Sequence, residues 1–505
     1  MRFAEAPDEV LARLATLRER DAPTHGGHVL SYVYDSGVPA LDEVAAAAIR
    51  LMQPVNGLDP TTFGSVAALE RDLVAFTRDL LGGGQAGDGE AVGTVTSGGT
   101  ESCLLAVKTA RDAWLAARGL APGAARPRLV APTTAHAAFH KAAHYFGLEL
   151  DLVPVRPDGA VAAEAVAGRL GTDGDGGPDD VALVVVSAPS YPHAALDPVA
   201  DVAAAAAAQG VPVHVDACIG GMALPFWPDL PDWDLRVPGV TSLSVDLHKY
   251  GYAPKGVSVL LHRGRDRQRG QYFATTRWPG YPVVNPTMLG SRSGGPLAAA
   301  WAITQVLGRD GLATLADRSR QATEALRDAV GQIEGLRVVG HPTGPLLAVA
   351  SDDAAGAERR VDPHVWADAV TAHGWVLQAQ PSHRQPDGTV LPHTTHLTVT
   401  PVTASVLDEL VPALVAAADE VRGTPRPAPD AALGRLAATG APPTPPSSQT
   451  AATLLAGLGL DTSRIGDDGP GVGPMAPLLA AVEALPAPTA ERLLVELLAR
   501  LVEPR

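Results

Sequence analysis

The stretch VALVVVSAPSYPHAALDPVADVAAAAAAQGVPVHVDACIGG, Val181 to Gly221, reads as strand, helix, strand. Its ends, VALVVVSAP and VPVHVDA, are short valine-rich runs bounded by Pro, Gly or Asp, and an alanine-rich helical segment lies between them. Strands that are apolar at every position are buried on both faces, and a helical crossover between two of them implies parallel pairing. The same alternation continues outward in VGTVTSGG, RLVAPT, LELDLVPV, TSLSVDL and VSVLLHR. The expected fold is therefore α/β with a mostly parallel sheet.

Around this core the chain divides into an N-terminal segment of helices and loops (1–90) and a large α/β domain (91–330). A small α+β domain (331–422) follows, with strand candidates GPLLAVAS and THLTVTP on either side of the helical PHVWADAVTAHG. Next come a Pro-rich linker (423–450) and a helical tail (451–505) with no assigned activity. The 505 residues are 46% hydrophobic and 19% charged, a globular balance. A net charge of −16 argues against nucleic acid or an anionic membrane surface as the main partner. The two cysteines, Cys103 and Cys218, are too few for a disulfide scaffold. The N-terminus has no signal-peptide core and no apolar stretch is long enough to span a bilayer, so a cytoplasmic location is expected.

Three stretches carry chemistry. In TSGGTESCLLAVKTARD (96–112) a strand runs into Gly98, Gly99 and Thr100 and then a helix, an arrangement that offers backbone N–H groups to an anion. It lacks the P-loop Gly-Lys-Ser/Thr, and a capped strand-to-helix turn is the bland alternative. In HVDACIGG (214–221), Asp216 ends an apolar strand, where a helix-capping role is common. In SVDLHKYGYAPKG (244–256), Lys249 follows a strand end and Lys255 lies beyond it. An anion cradle, a strand-end carboxylate and a strand-end amine, in that order, are what pyridoxal phosphate requires. His136, after the strand RLVAP, is placed to stack on a ring, unless it is simply a helix-start or surface histidine.

Together with SAPSYPHAALDP, GSRSGG and HLTVTP, these motifs resemble the group II pyridoxal-phosphate decarboxylases, most of all their sphingosine-phosphate lyase branch, over about residues 25–420. The resemblance implies the fold-type-I (aspartate aminotransferase-like) architecture and pyridoxal 5'-phosphate as cofactor. It implies Lys249 as the Schiff-base lysine, Asp216 as partner of the pyridine nitrogen and His136 as the stacking residue. Gly99, Thr100 and His248 would hold the phosphate. Gly290 and Ser291 would reach the cofactor of the other subunit of a homodimer. Lys255, Tyr34 and Tyr191 match positions on the substrate side.

Where the branch has Asn-Pro-Leu-His-Pro, this chain reads Asn56-Gly57-Leu58-Asp59-Pro60, and Asp59 would repel a substrate phosphate. The expectation is therefore a carbon–carbon lyase of the decarboxylase type acting on an amino acid or related amine. Cα–Cβ cleavage of a phosphorylated or unphosphorylated amino alcohol is the alternative. An aminotransferase is disfavoured because that class usually stacks an aromatic ring where His136 stands, and a scaffold without activity would have lost some of these residues.

Overall fold

The computed structural model describes residues 4–84, 89–170, 180–428, 445–457 and 474–504. Its main sheet has seven strands: β1 (Ala91–Thr96), β2 (Arg128–Pro132), β3 (Glu149–Val153), β4 (Val181–Ser187), β5 (Val213–Asp216), β6 (Val240–Asp246) and β7 (Ser258–Arg263). They lie in the order β1-β7-β6-β5-β4-β2-β3. β7 runs antiparallel to both neighbours, and every other pairing is parallel. All seven residues of β4 are buried, as expected for a strand covered on both faces.

The helices on the sheet are α4 (Gly99–Ala117), α5 (Ala137–Phe146), α6 (Ala163–Leu170) and α7 (Val199–Ala208). They follow α1 (Pro7–Arg18), α2 (Pro39–Met52) and α3 (Gly64–Leu80) of the N-terminal segment. Helix α7 buries Val199, Val202, Ala203 and Ala206, a stripe at helical spacing, and Gly210 with φ +70 turns the chain back toward β5.

After β7 come a short helix α8 (Arg265–Arg269), a hairpin of β8 (Phe273–Thr275) with β9 (Val283–Asn285), and α9 (Gly295–Gly331). The sequence predicts one helical run here, whereas Gly308 takes φ 54 and ψ −164 and breaks it. The second sheet contains β10 (Leu336–Val338), β11 (Leu346–Ser351), β12 (Gln378–Gln380) and β15 (Thr394–Thr398), all antiparallel. A small hairpin of β13 (His383–Arg384) and β14 (Val390–Leu391) interrupts it. Only β11 and β15 are visible in the sequence pattern. α10 (Pro363–Ala372) and α11 (Leu407–Val421) pack here, with Trp366 fully buried and donating from Nε1 to Leu414 O at 3.0 Å. Tyr250, next to Lys249, sends its buried hydroxyl to two carbonyls, Pro345 O at 3.1 Å and Val399 O at 2.9 Å. Among the described residues, no helix is long and apolar enough to cross a membrane.

Register positions the site. Ser187 pairs with Asp216 and Asp216 with Ser244, while Asp246 pairs with Ser258 and Thr96 with Ser258. The carboxyl ends of β1, β4, β5 and β6 thus emerge along one edge, where open α/β sheets bind ligands.

Candidate active site

A cavity of about 410 Å³ opens at that edge. Gly98, Gly99 and Thr100 from the start of α4 line it, with His136, Tyr191, Asp216, His248, Lys249 and Lys255. The sequence-predicted residues from five separate loops thus converge, and Tyr34 stands beside them under Lys255.

The glycines are there for close approach. Gly98, with φ +152, provides no side-chain cap for α4, so the helix presents free N–H groups. A Cβ on Gly99 would come within 2.7 Å of both Asp246 carboxylate oxygens and of Cys218 Sγ. Glu101 braces the loop by accepting from Ser97 N at 2.5 Å and Met288 N at 2.6 Å.

Lys249 lies in the turn after β6, with Nζ 3.0 Å from Asp246 Oδ2. Burial alone would lower the ammonium's pKa, but Asp246, helped by Tyr34, Cys218 and Asp216, holds it well above the ordinary lysine range. Asp246 itself is pushed up by burial and pulled down further by Lys249 and His248, ending below the usual carboxylate range. The His248 ring places Nδ1 2.7 Å from Val257 O and Nε2 3.7 Å from Asp246. Lys255 donates to His248 O at 3.2 Å and lies 4.5 Å above the Tyr34 ring. Burial and the nearby Lys249 charge bring Lys255 down to about 8. Burial drives the Tyr34 phenol up to about 12.

Asp216 accepts from Cys218 N at 3.1 Å, which fixes its carboxylate at the end of β5. His136 caps α5, and its Nδ1 accepts from Ala138 N at 3.1 Å, so the neutral ring carries its proton on Nε2. The capping role and the placement in the cavity hold together. Tyr191 stacks on His396 at 4.2 Å and donates to Gln378 Oε1 at 2.5 Å, and Ser31 donates to the same oxygen at 2.8 Å.

Gly290 and Ser291 do not line this cavity. Ser291 accepts from Asn56 Nδ2 at 3.3 Å, and Gly57 N donates to Arg292 O at 2.7 Å, so residues 56–59 and 290–292 form one patch. Gly290 and Asp59 line a second cavity of about 1220 Å³. Asp59 is engaged locally, accepting from Thr61 N at 2.9 Å, Thr61 Oγ1 at 2.6 Å and Thr62 Oγ1 at 2.7 Å. Those bonds, from the Thr61 hydroxyl first, hold its carboxyl down at about 2.

Asp246, Glu101 and Gln378 are the polar residues that sequence reasoning missed. The donor set suits pyridoxal phosphate: an uncapped helix start for the phosphate, the buried Lys249 amine for the aldehyde, and a fixed carboxylate on the adjacent strand for a ring nitrogen.

The pyridoxal-dependent decarboxylase conserved domain matches residues 45–347, and the C-terminal putative HTH domain of pyridoxal-dependent enzymes matches 430–500. Sphingosine-1-phosphate lyase of Arabidopsis thaliana is 33% identical over 426 residues, covering 83% of this chain and 73% of that one. The Rattus norvegicus lyase is 35% identical over 372 residues, 73% of this chain and 61% of its own. Among solved structures, the Burkholderia pseudomallei sphingosine-1-phosphate lyase aligns with a TM-score of 0.73 and 32% identity, covering 83% of this chain and 92% of that one. Glutamate decarboxylase of Lactobacillus brevis, at 20% identity, shares the fold with a TM-score of 0.71 and coverage of 84% and 95%. The chain belongs to the pyridoxal-dependent decarboxylase family and is a pyridoxal 5'-phosphate-dependent lyase.

Proposed function

We propose that this lyase cleaves the Cα–Cβ bond of a phosphorylated amino alcohol, releasing an aldehyde and a smaller phosphorylated amine. The observation that carries the reading is Lys255, a cation in the wall of the cofactor cavity, seated over Tyr34. It suits a substrate phosphate, and the relatives at 33% and 35% identity are sphingosine-1-phosphate lyases. Pyridoxal phosphate, when bound, supplies the electron sink. Gly99, Thr100 and His248 would hold its phosphate, and Lys249 would supply the amine that binds its aldehyde. Asp216 would keep the pyridine nitrogen protonated, and His136 would lie against the ring. Lys255, with Tyr34 beside it, pairs as a cation with the substrate phosphate, while Tyr191 borders the substrate.

The enzyme works as a homodimer. The segment leading to Ser291 leaves Phe273, Trp278, Tyr281, Val284, Met288 and Leu289 exposed, a run of large apolar side chains that suits a partner surface. A second copy covers it and receives Gly290 and Ser291 at its cofactor. Asp59 travels in the same patch, and this favours a second reading, decarboxylation of an unphosphorylated amino acid, because a fixed anion disfavours a phosphate.

The products decide. Holoenzyme given phosphorylated amino alcohols, unphosphorylated ones and amino acids should release aldehyde, fastest from the phosphorylated compound. Carbon dioxide from an amino acid without aldehyde would replace the first reading with the second.

A further inference from the structure

Asp246 is a carboxylate in the cofactor cavity, beside Asp216 and Glu101, that the chemistry above leaves unused. It is 2% exposed, and its Oδ1 is buried without a hydrogen-bond partner among the described residues. The nearby Ser258 hydroxyl donates instead to Val245 O at 2.7 Å. Oδ2 lies 3.0 Å from Lys249 Nζ. Both oxygens abut Gly99, at the uncapped start of α4. The carboxylate therefore occupies the corner that attracts an anion and pairs with the amine that must react.

We propose that Asp246 is a positioning residue that holds Lys249 as a paired ammonium while the cofactor is absent, and so sets how fast the enzyme captures its cofactor. Two effects act in the same direction. An ammonium has no lone pair, so Lys249 must lose a proton before Nζ bonds to the aldehyde carbon and the aldehyde oxygen departs as water. A phosphate arriving at Gly98 to Thr100 also meets a like charge. The other groups facing this pair leave the balance with Asp246. Asp216, Cys218 and Tyr34 add to the hold on the ammonium. His248 is displaced downward by burial, and Lys255 is a competing cation for Asp246. Cys103 from α4 is a buried thiol raised above its ordinary value. The benefit is in the empty protein, where a buried lysine without a counter-ion is costly.

This inference rests on Lys249 being the cofactor lysine, a reading tested separately by borohydride fixation of cofactor to wild type but not to Lys249→Ala. Full-length protein stripped of cofactor is mixed with pyridoxal phosphate and imine absorbance is followed with time, with inorganic phosphate as a competitor. Asp246→Asn should capture cofactor about tenfold faster near neutral pH, since one unit of amine pKa is tenfold in neutral amine. It should also bind inorganic phosphate more tightly, whereas Asp246→Glu should stay close to wild type. A folded Asp246→Asn protein that captures no faster would overturn the proposal. Wild type gives a test that does not depend on the variant folding. Its capture rate should climb about tenfold per pH unit through the neutral range, and a flat profile would equally sink the idea.

Discussion

The cofactor cavity and the patch formed by residues 56–59 and 290–292 are built on opposite principles. In the cavity, buried polar groups converge with capacity to spare. Among the described residues Asp246 Oδ1 has no partner, and Lys249 pairs with a neighbour it must leave. In the patch the polar groups are satisfied among themselves. Asp59 is bound to Thr61 and Thr62, Asn56 to Ser291, and Arg292 to Glu70 at 2.8 Å and Val95 O at 2.7 Å. What is left over there is apolar, in Tyr281, Val284 and Leu289. Unspent buried polarity marks a place for chemistry. Spent polarity beside bare apolar surface marks a place to be covered.

The contrast breaks first at Lys249. Lys249→Ala should abolish turnover and the borohydride-reducible link to cofactor. Mass spectrometry showing cofactor still fixed would move the chemistry to another amine. Asp216→Asn should retain cofactor yet slow turnover by several orders of magnitude. A partner of a buried cation is worth a few kcal/mol, and each ~1.4 kcal/mol is tenfold in rate. Stopped-flow rates near wild type would remove the pyridinium role.

The patch is tested by mixing two inactive chains, Lys249→Ala and a Ser291 variant with a bulky side chain. Activity should return in the mixed dimers, because one hybrid site has both intact residues. Mixed dimers that form and stay dead would leave Ser291 without a role in the neighbour's site.

Smaller effects separate the walls of the two regions. Lys255 is cationic below about pH 8 and neutral above it, so KM for a phosphorylated substrate should rise as pH passes that value. Lys255→Arg should push the rise to higher pH, and an unmoved profile would assign it to another group. Asp59→His should lower KM for the phosphorylated substrate by about 1 kcal/mol of binding, roughly fivefold, if the patch faces a partner's substrate. An unchanged KM would leave Asp59 as a turn residue only.

Legibility in the sequence followed locality. Strands β4 and β5 are readable because β4 is apolar up to Ser187 and β5 is a short valine run that Asp216 closes conspicuously. β10 and β12, three residues each, are too short to show a period. The break at Gly308 was invisible because an isolated glycine inside a helical pattern is tolerated. Lys249, His136 and the Gly98–Thr100 turn were readable because each carries its own motif. Asp246 stood in plain view three residues before Lys249 but read as a strand end, since only the turn brings the two side chains together. Gln378 meets Tyr191 across 187 residues, which no local pattern encodes. Asp59-Pro60-Thr61-Thr62 also spells a side-chain-capped turn, a local role that the comparison with Asn-Pro-Leu-His-Pro does not bring out.

Tyr250 has a further consequence. One hydroxyl proton serves two carbonyls, one just before β11 and one just after β15. The residue following the reactive lysine is thereby pinned to the second sheet. Any sliding of that sheet against the first must stretch one of those two contacts, and the disturbance arrives a single peptide bond from Lys249. Tyr250 is in effect a mechanical tether, and the seating of the amine registers how the two halves of the molecule sit together.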